Sequence, residues 1–257
     1  MTIPSTRKTE AGFTLVELAI VLMIIGLLIG GILRGQELME NARVTSTIQQ
    51  TKAYDGAATT FRDAYSALPG DIVSPSTRLA NCSTTPCSTT GDGNGLIMTG
   101  GLSVTTKAGA YTVTSGSENR NFWLHLATTH LISGVNPVAS GTTASWGNEY
   151  PAGKIAGGFH VALVNIPAAT GVPAVNGHFL VLKNNATTGN IQEPAGQAAV
   201  SPLRAAQIDR KLDDGLPMTG DVLGIGTSTN CTGTGTPIGY GEISEQRDCN
   251  LLIRVQS

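Results

Sequence analysis

At 257 residues the chain is long enough to bury one good-sized core or two small ones, yet Asp, Glu, Lys and Arg make up only 13% of it and the net charge is -2. That balance excludes nucleic-acid binding as the main task, which needs clustered Lys and Arg. It is also a poor match for a free cytosolic enzyme, which keeps more surface charge for solubility, and it suits a protein packed against copies of itself.

The chain begins with a short polar leader, MTIPSTRKTEAG, residues 1–12, whose basic residues are Arg7 and Lys8. Residues 13–33, FTLVELAIVLMIIGLLIGGIL, form an apolar run whose only charge is Glu17. As a helix this run spans roughly 30 Å, enough for a bilayer core. Basic residues ahead of it predict a cytoplasmic N-terminus and an exported remainder. A secretory signal is cut after its apolar core, but the small-residue junction here, Ala11-Gly12, precedes it, and no A-x-A-like site follows at a useful distance. A cut at that junction leaves the apolar helix attached as an anchor.

The residues GFTLVELAIVLMIIGLL resemble the cleavage and methylation signature of type IV prepilins and type II secretion pseudopilins. Gly12 carries the resemblance, together with the Phe13-Thr14-Leu15-Val16 that follows it and Glu17, the fifth residue of the new chain. The resemblance implies cleavage between Gly12 and Phe13 by a prepilin peptidase, which also methylates the freed Phe13 amine. It further implies an assembly role for Glu17, an inner-membrane assembly platform as partner, and a homo-oligomeric filament. The precursor is then expected to cross the inner membrane once, with its head in the periplasm, before joining an extracellular or periplasmic filament. Elementary energetics agree on Glu17: a carboxylate in a lipid-embedded helix costs about 2 to 3 kcal/mol or more unless partnered. The Phe13 amine of a neighbouring subunit is the expected partner, setting the axial register of stacked helices; a carboxylate wetted by headgroups is the alternative. Gly26, Gly30 and Gly31 allow close helix approach. Many pilins carry a Pro about twenty residues into the mature chain; Arg34 stands there, so any loosening of the helix would rely on the glycines, each about 1 kcal/mol weaker than Ala.

Beyond Leu33 the pattern continues. Ala57, Phe61, Ala64, Tyr65 and Leu68 recur at spacings of three and four, and Leu68-Pro69-Gly70-Asp71 stops the run. One helix is expected over 14–67, apolar in its first half and amphipathic in its second. After Asp71 the composition turns to Ser, Thr, Gly and Asn. Short helices are expected from Ser117 or Glu118 to Ile132 and from Ser201-Pro202 to Leu212, with strands at 110–114, 159–166, 178–182 and 251–255. The fold expectation is α+β: a long N-terminal helix packed on a head with a mainly antiparallel sheet. The layout is a leader over 1–12, a stem over 13–68 with its transmembrane segment at 13–33, and a head over 69–257. YSALPGD at 65–71, GDGNG at 91–95 and IDRKLDDGLP at 208–217 resemble phrases of larger pilin-like proteins with long heads.

Four cysteines, Cys82, Cys87, Cys231 and Cys249, form no CxxC pair and have no His at zinc-like spacing. In an exported chain an even count reads as disulfides. Three pairings are possible on paper; the expected one joins Cys82 to Cys87 around a tight loop and Cys231 to Cys249 at the C-terminal segment, and four buried thiols are the alternative. His125 and His130 fall on different faces of a predicted helix, and His160 and His178 sit in strand-like runs, so no catalytic site is expected. No GxSxG is present, and GTGTPIG at 233–239 misses both phosphate-loop spacings. Phe122 and Trp123 read as core. Asp92 and Asn94, and Asp213 with Asp214, are oxygen donors suited to calcium, but neither pair completes an EF-hand, and Asp or Asn before Gly is ordinary turn chemistry. No cofactor is expected beyond that calcium option. The expected function is a structural filament subunit. The alternatives are a secretion pseudopilin, a minor or adhesive tip pilin and, without a catalytic constellation to support it, an anchored periplasmic hydrolase.

Overall fold

A computed structural model describes residues 14–98, 106, 109–111, 113, 116–138, 143–168, 174–232 and 239–255. The chain divides into two units, Met1–Ala42 and Arg43–Ser257. Helix α1, Leu15–Tyr65, begins in the first and ends in the second. Within the first unit every residue over 15–34 is exposed, and an 18-residue window of the helix has a mean hydropathy of 2.7. Helical length and all-round apolarity are what a bilayer span requires.

In the second unit α1 buries a single stripe: Val44, Thr47, Ile48, Thr51, Tyr54, Ala57, Ala58 and Phe61. The spacing of three and four keeps these side chains on one face. Thr47 and Thr51 fit that face because their hydroxyls donate to the carbonyls of Arg43 and Thr47, each at 2.9 Å. The helix stops at Tyr65, two residues before its expected end, because Ser66 turns to φ +50.

A sheet of four antiparallel strands follows, in the order β1-β2-β4-β3. The strands are β1 Gly158–Ile166, β2 Val175–Lys183, β3 Val222–Ile225 and β4 Asn250–Arg254. The α+β expectation is thereby met. The register places Val161 opposite Leu180, Leu182 opposite Leu251 and Leu223 opposite Leu252. On one face Phe159, Val161, Leu180, Leu182 and Leu251 join the core built on α1. On the other face Ala162, Val164, Phe179, Val181 and Leu252 join Tyr111 and Ile191 in a second cluster. Strand β3 was not anticipated; of the expected strand at 110–114, residues 112 and 114 lie outside the described residues, and Ala110 bridges Asn190.

Among the described residues the head has four further helices: α2 Pro75–Arg78, α3 Glu118–Thr128, α4 Pro202–Leu212 and α5 Thr229–Thr232. Every residue of α3 is buried, including Phe122 and Trp123. Tyr54 of α1 meets Trp123 and Phe159 edge-on, with ring centroids at 5.0 and 5.6 Å. Such contacts add to the burial of three large rings.

Helix α3 ends at Thr128 and not at Ile132, because His130 takes φ +58. The His130 N–H donates to the Ala127 carbonyl and the Leu131 N–H to the Leu126 carbonyl, each at 3.0 Å. This is a Schellman cap with histidine where glycine is usual. A side chain in this left-handed region costs about 1 to 2 kcal/mol. His130→Gly is therefore expected to raise the unfolding temperature of the full chain in detergent by a few degrees, measured by circular dichroism.

Candidate functional site

The first site is the start of α1. The Glu17 Oε2 accepts the Thr14 N–H at 2.9 Å and the Thr14 hydroxyl at 2.8 Å, while the Glu17 N–H donates to Thr14 Oγ1 at 3.3 Å. Thr14 and Glu17 thus form a reciprocal capping box that meets two of the helix's unpaired N–H groups. The pair T-x-x-E was present in the sequence, though Glu17 was considered there only for its role between subunits. Gly12 and Phe13 lie outside the described residues. A Cβ built at Gly26, Gly30 or Gly31 would meet nothing within 4 Å, and the helix runs unbroken through all three. Arg34, in place of a helix-breaking Pro, pairs with Glu37 at 3.1 Å.

The second site gathers three carboxyl groups from separate parts of the head. Asp71 comes from the turn after α1, Asp92 from the GDGNG loop and Glu118 from the first residue of α3; their oxygens lie within 4.8 Å of one another. The loop wraps the Asp71 side chain, whose two oxygens accept the Gly93 and Gly95 N–H groups at 2.7 Å each. Glu118 accepts the Met98 N–H at 2.7 Å and that of Asp92 at 3.4 Å. Gly91 lets the loop approach this closely, since a Cβ there would sit 2.4 Å from the Asp71 carbonyl carbon. Burial pushes Glu118 up to about 7, against its hydrogen bonds and with a smaller push from the charges of Asp92 and Asp71. Burial likewise raises Asp71.

Asn94, paired with Asp92 in the calcium expectation, bonds locally. Its amide donates to Asp92 Oδ2 at 2.7 Å and its Oδ1 accepts the Leu96 N–H at 2.7 Å. The residues that join Asp92 instead are Asp71 and Glu118, which sequence spacing did not indicate. Asp213 and Asp214 come together with Asp209, again within 4.8 Å. Asp209 accepts the Tyr240 hydroxyl at 2.9 Å, and burial pushes it up to about 6.

The histidines serve the scaffold. His125 Nδ1 accepts the Gly70 N–H at 2.9 Å and Nε2 lies 3.0 Å from the Cys87 carbonyl, so the ring is held neutral; burial pushes it down to about 4. His160 meets the Tyr111 hydroxyl at 2.7 Å, and His178 Nε2 accepts the Ile97 N–H at 3.0 Å. Cys82 stands beside Cys87 and Cys231 beside Cys249 as disulfides, with Cα separations of 5.3 and 5.2 Å. The second pair holds α5 at the edge of β4.

A model of the prokaryotic N-terminal methylation motif matches residues 7–33. This chain carries the type IV pilin and pseudopilin hallmark. The matched stretch takes in Arg7 and Lys8 of the leader, the Gly12-Phe13 junction, the Thr14–Glu17 cap and the apolar run to Leu33. With α1 apolar on all sides from Leu15 to Leu33, the motif fits a membrane-anchored pilin-like precursor. No curated protein and no solved structure matches the chain.

The raised pKa of Glu118 has a definite sign. The folded chain holds a proton that the unfolded chain releases, so this group's contribution is present below about 4.5 and is lost as pH rises through about 7. Glu118→Gln keeps the shape without the charge. Its unfolding temperature is expected to exceed that of the wild type at pH 8 and to match it at pH 4.5; calorimetry at the two pH values checks this.

Proposed function

We propose that the chain is a structural subunit of a type IV pilus or related filament, assembled through α1 after cleavage between Gly12 and Phe13. The observation that carries this reading is the methylation motif over 7–33, whose residues from Leu15 to Leu33 lie on a helix exposed and apolar on every side. A lone anchor needs length and apolarity, but not a carboxylate five residues past a peptidase junction. In this reading the Phe13 amine, methylated after cleavage, meets Glu17 of a neighbouring subunit as helices stack, and the heads form the outer surface. The disulfides belong to the same reading, since the head is exported to an oxidising compartment. No catalysis is assigned to the head.

Gly12→Ala is expected to leave the precursor uncut in cells that carry the prepilin peptidase; a product of wild-type size on an immunoblot would refute the cleavage assignment. Glu17→Ala is expected to insert and be cut but to yield no filaments by itself. The yield of sheared surface fibre reads the second outcome, and mass spectrometry of wild-type fibres reports the N-terminal residue, its methyl group and the disulfides together.

A further inference from the structure

Two features of the head stand out by exposure and charge. From residue 43 onward the large apolar side chains that remain exposed, among the described residues, are Val73, Val138 and Ile243. Ile243 is 98% exposed at the tip of loop 241–246. That loop is held as a fixed turn: the Gly241 N–H donates to the Asn230 carbonyl at 2.7 Å, the Ser244 N–H to the Gly241 carbonyl at 3.0 Å, and Glu242 is tied to Arg210. Two residues beyond Ile243, Glu245 is exposed and has no partner among the described residues. The loop therefore offers an apolar knob beside a free carboxylate.

Val73 lies elsewhere, on the wall of an open cavity of about 330 Å³ that Arg62, Leu68, Asp71 and Arg78 also line. Arg62 is exposed and without a partner among the described residues, and the Arg78 guanidinium donates to the Tyr65 carbonyl. The lining carries two guanidinium groups, Arg62 and Arg78, against the one carboxyl group of Asp71, so its charge balance is positive. Its apolar wall and its guanidinium match the knob's isoleucine and carboxylate.

Knob and cavity also lie at different levels of the head. Lys211 Nζ reaches the Thr45 hydroxyl at 3.4 Å, and the adjacent Arg210 holds Glu242, so the C-terminal end of α4 links the loop to the part of α1 around residue 45. The cavity sits at Arg62 and Ser66, farther along the same helix by about 25 Å at 1.5 Å per residue. A contact between two different patches of one molecule is heterologous; when its rotation does not close a ring it repeats into a fibre.

We propose that loop 241–246 of one copy docks into the Arg62–Val73–Arg78 cavity of another, seating Ile243 against Val73 and Glu245 against Arg62. The proposal rests on the filament reading and names the head-to-head contact within it. The test uses the full chain in cells with the peptidase and assembly machinery. Arg62→Glu and Glu245→Arg each place like charges in the contact and are expected to cut sheared filament by about tenfold or more, with normal cleavage. The double variant restores opposite charges and is expected to return most of the yield. A double cysteine variant, Val73→Cys with Ile243→Cys, is expected to give a covalent ladder of dimers and higher species in non-reducing gels of filaments. Single reversals that assemble like wild type, a double variant no better than the singles, or filaments without a ladder would each overturn the docking. A wild-type chain that is cleaved but never polymerises overturns the filament reading, and the docking with it.

Discussion

From Val44 to Phe61 one stripe of α1 forms a wall of the head core, and the rest of the head is arranged by what packs there. Burying a side chain the size of Phe61 is worth about 1.5 to 3 kcal/mol, and Tyr54, Trp123 and Phe159 add three more rings at the same place. Phe61 also stacks on His125, with centroids 6.2 Å apart and ring planes 11° apart. His125 in turn accepts the Gly70 N–H, which pins the turn after α1 onto α3. Gly70 has φ +89, and a Cβ there would lie 2.4 Å from the Glu118 carbonyl oxygen, so no other residue permits so close an approach. The helix thereby determines where Asp71 and Glu118 meet.

That meeting has an electrostatic consequence. His125, pushed down to about 4, lets stability fall as pH drops from 6.5, because only the unfolded chain takes up its proton. Glu118, pushed up to about 7, acts with the opposite sign over nearly the same window. The two groups, both on α3, therefore pull stability in opposite directions as pH falls. Backbone N–H groups on every oxygen of Asp71 and on both of Glu118 make the crowding of carboxyls tolerable.

Much of this was legible in the chain. Apolar spacing with a strong stop signal found α1, a cap residue followed by Pro found the start of α4, and apolar β-prone runs found strands β1, β2 and β4. Strand β3 escaped because VLGI is four residues with a glycine and owes its place to pairing with β4. The end of α3 escaped because the cap residue is His130, where a glycine would have announced it. In the acidic site only Asp92 drew notice: its partners Asp71 and Glu118 lie 21 and 26 residues away along the chain, and only tertiary packing unites them.

The N-terminal cap bears on how a pilin-like chain holds a carboxylate in lipid at all. Both bonds from Thr14 converge on Glu17 Oε2, and Oε1 has no partner among the described residues. A capping box satisfies donors of its own helix and lowers the cost of the charge without consuming both oxygens. Under the filament reading a neighbouring amine would approach the open oxygen while the cap stays closed. Assembly then adds a partner to Glu17 and need not break one, so the helix start would stay rigid through the transfer from lipid to fibre. Thr14 is what makes this geometry available: its hydroxyl both donates to the carboxylate and accepts the Glu17 N–H, which alanine or valine in its place would leave undone.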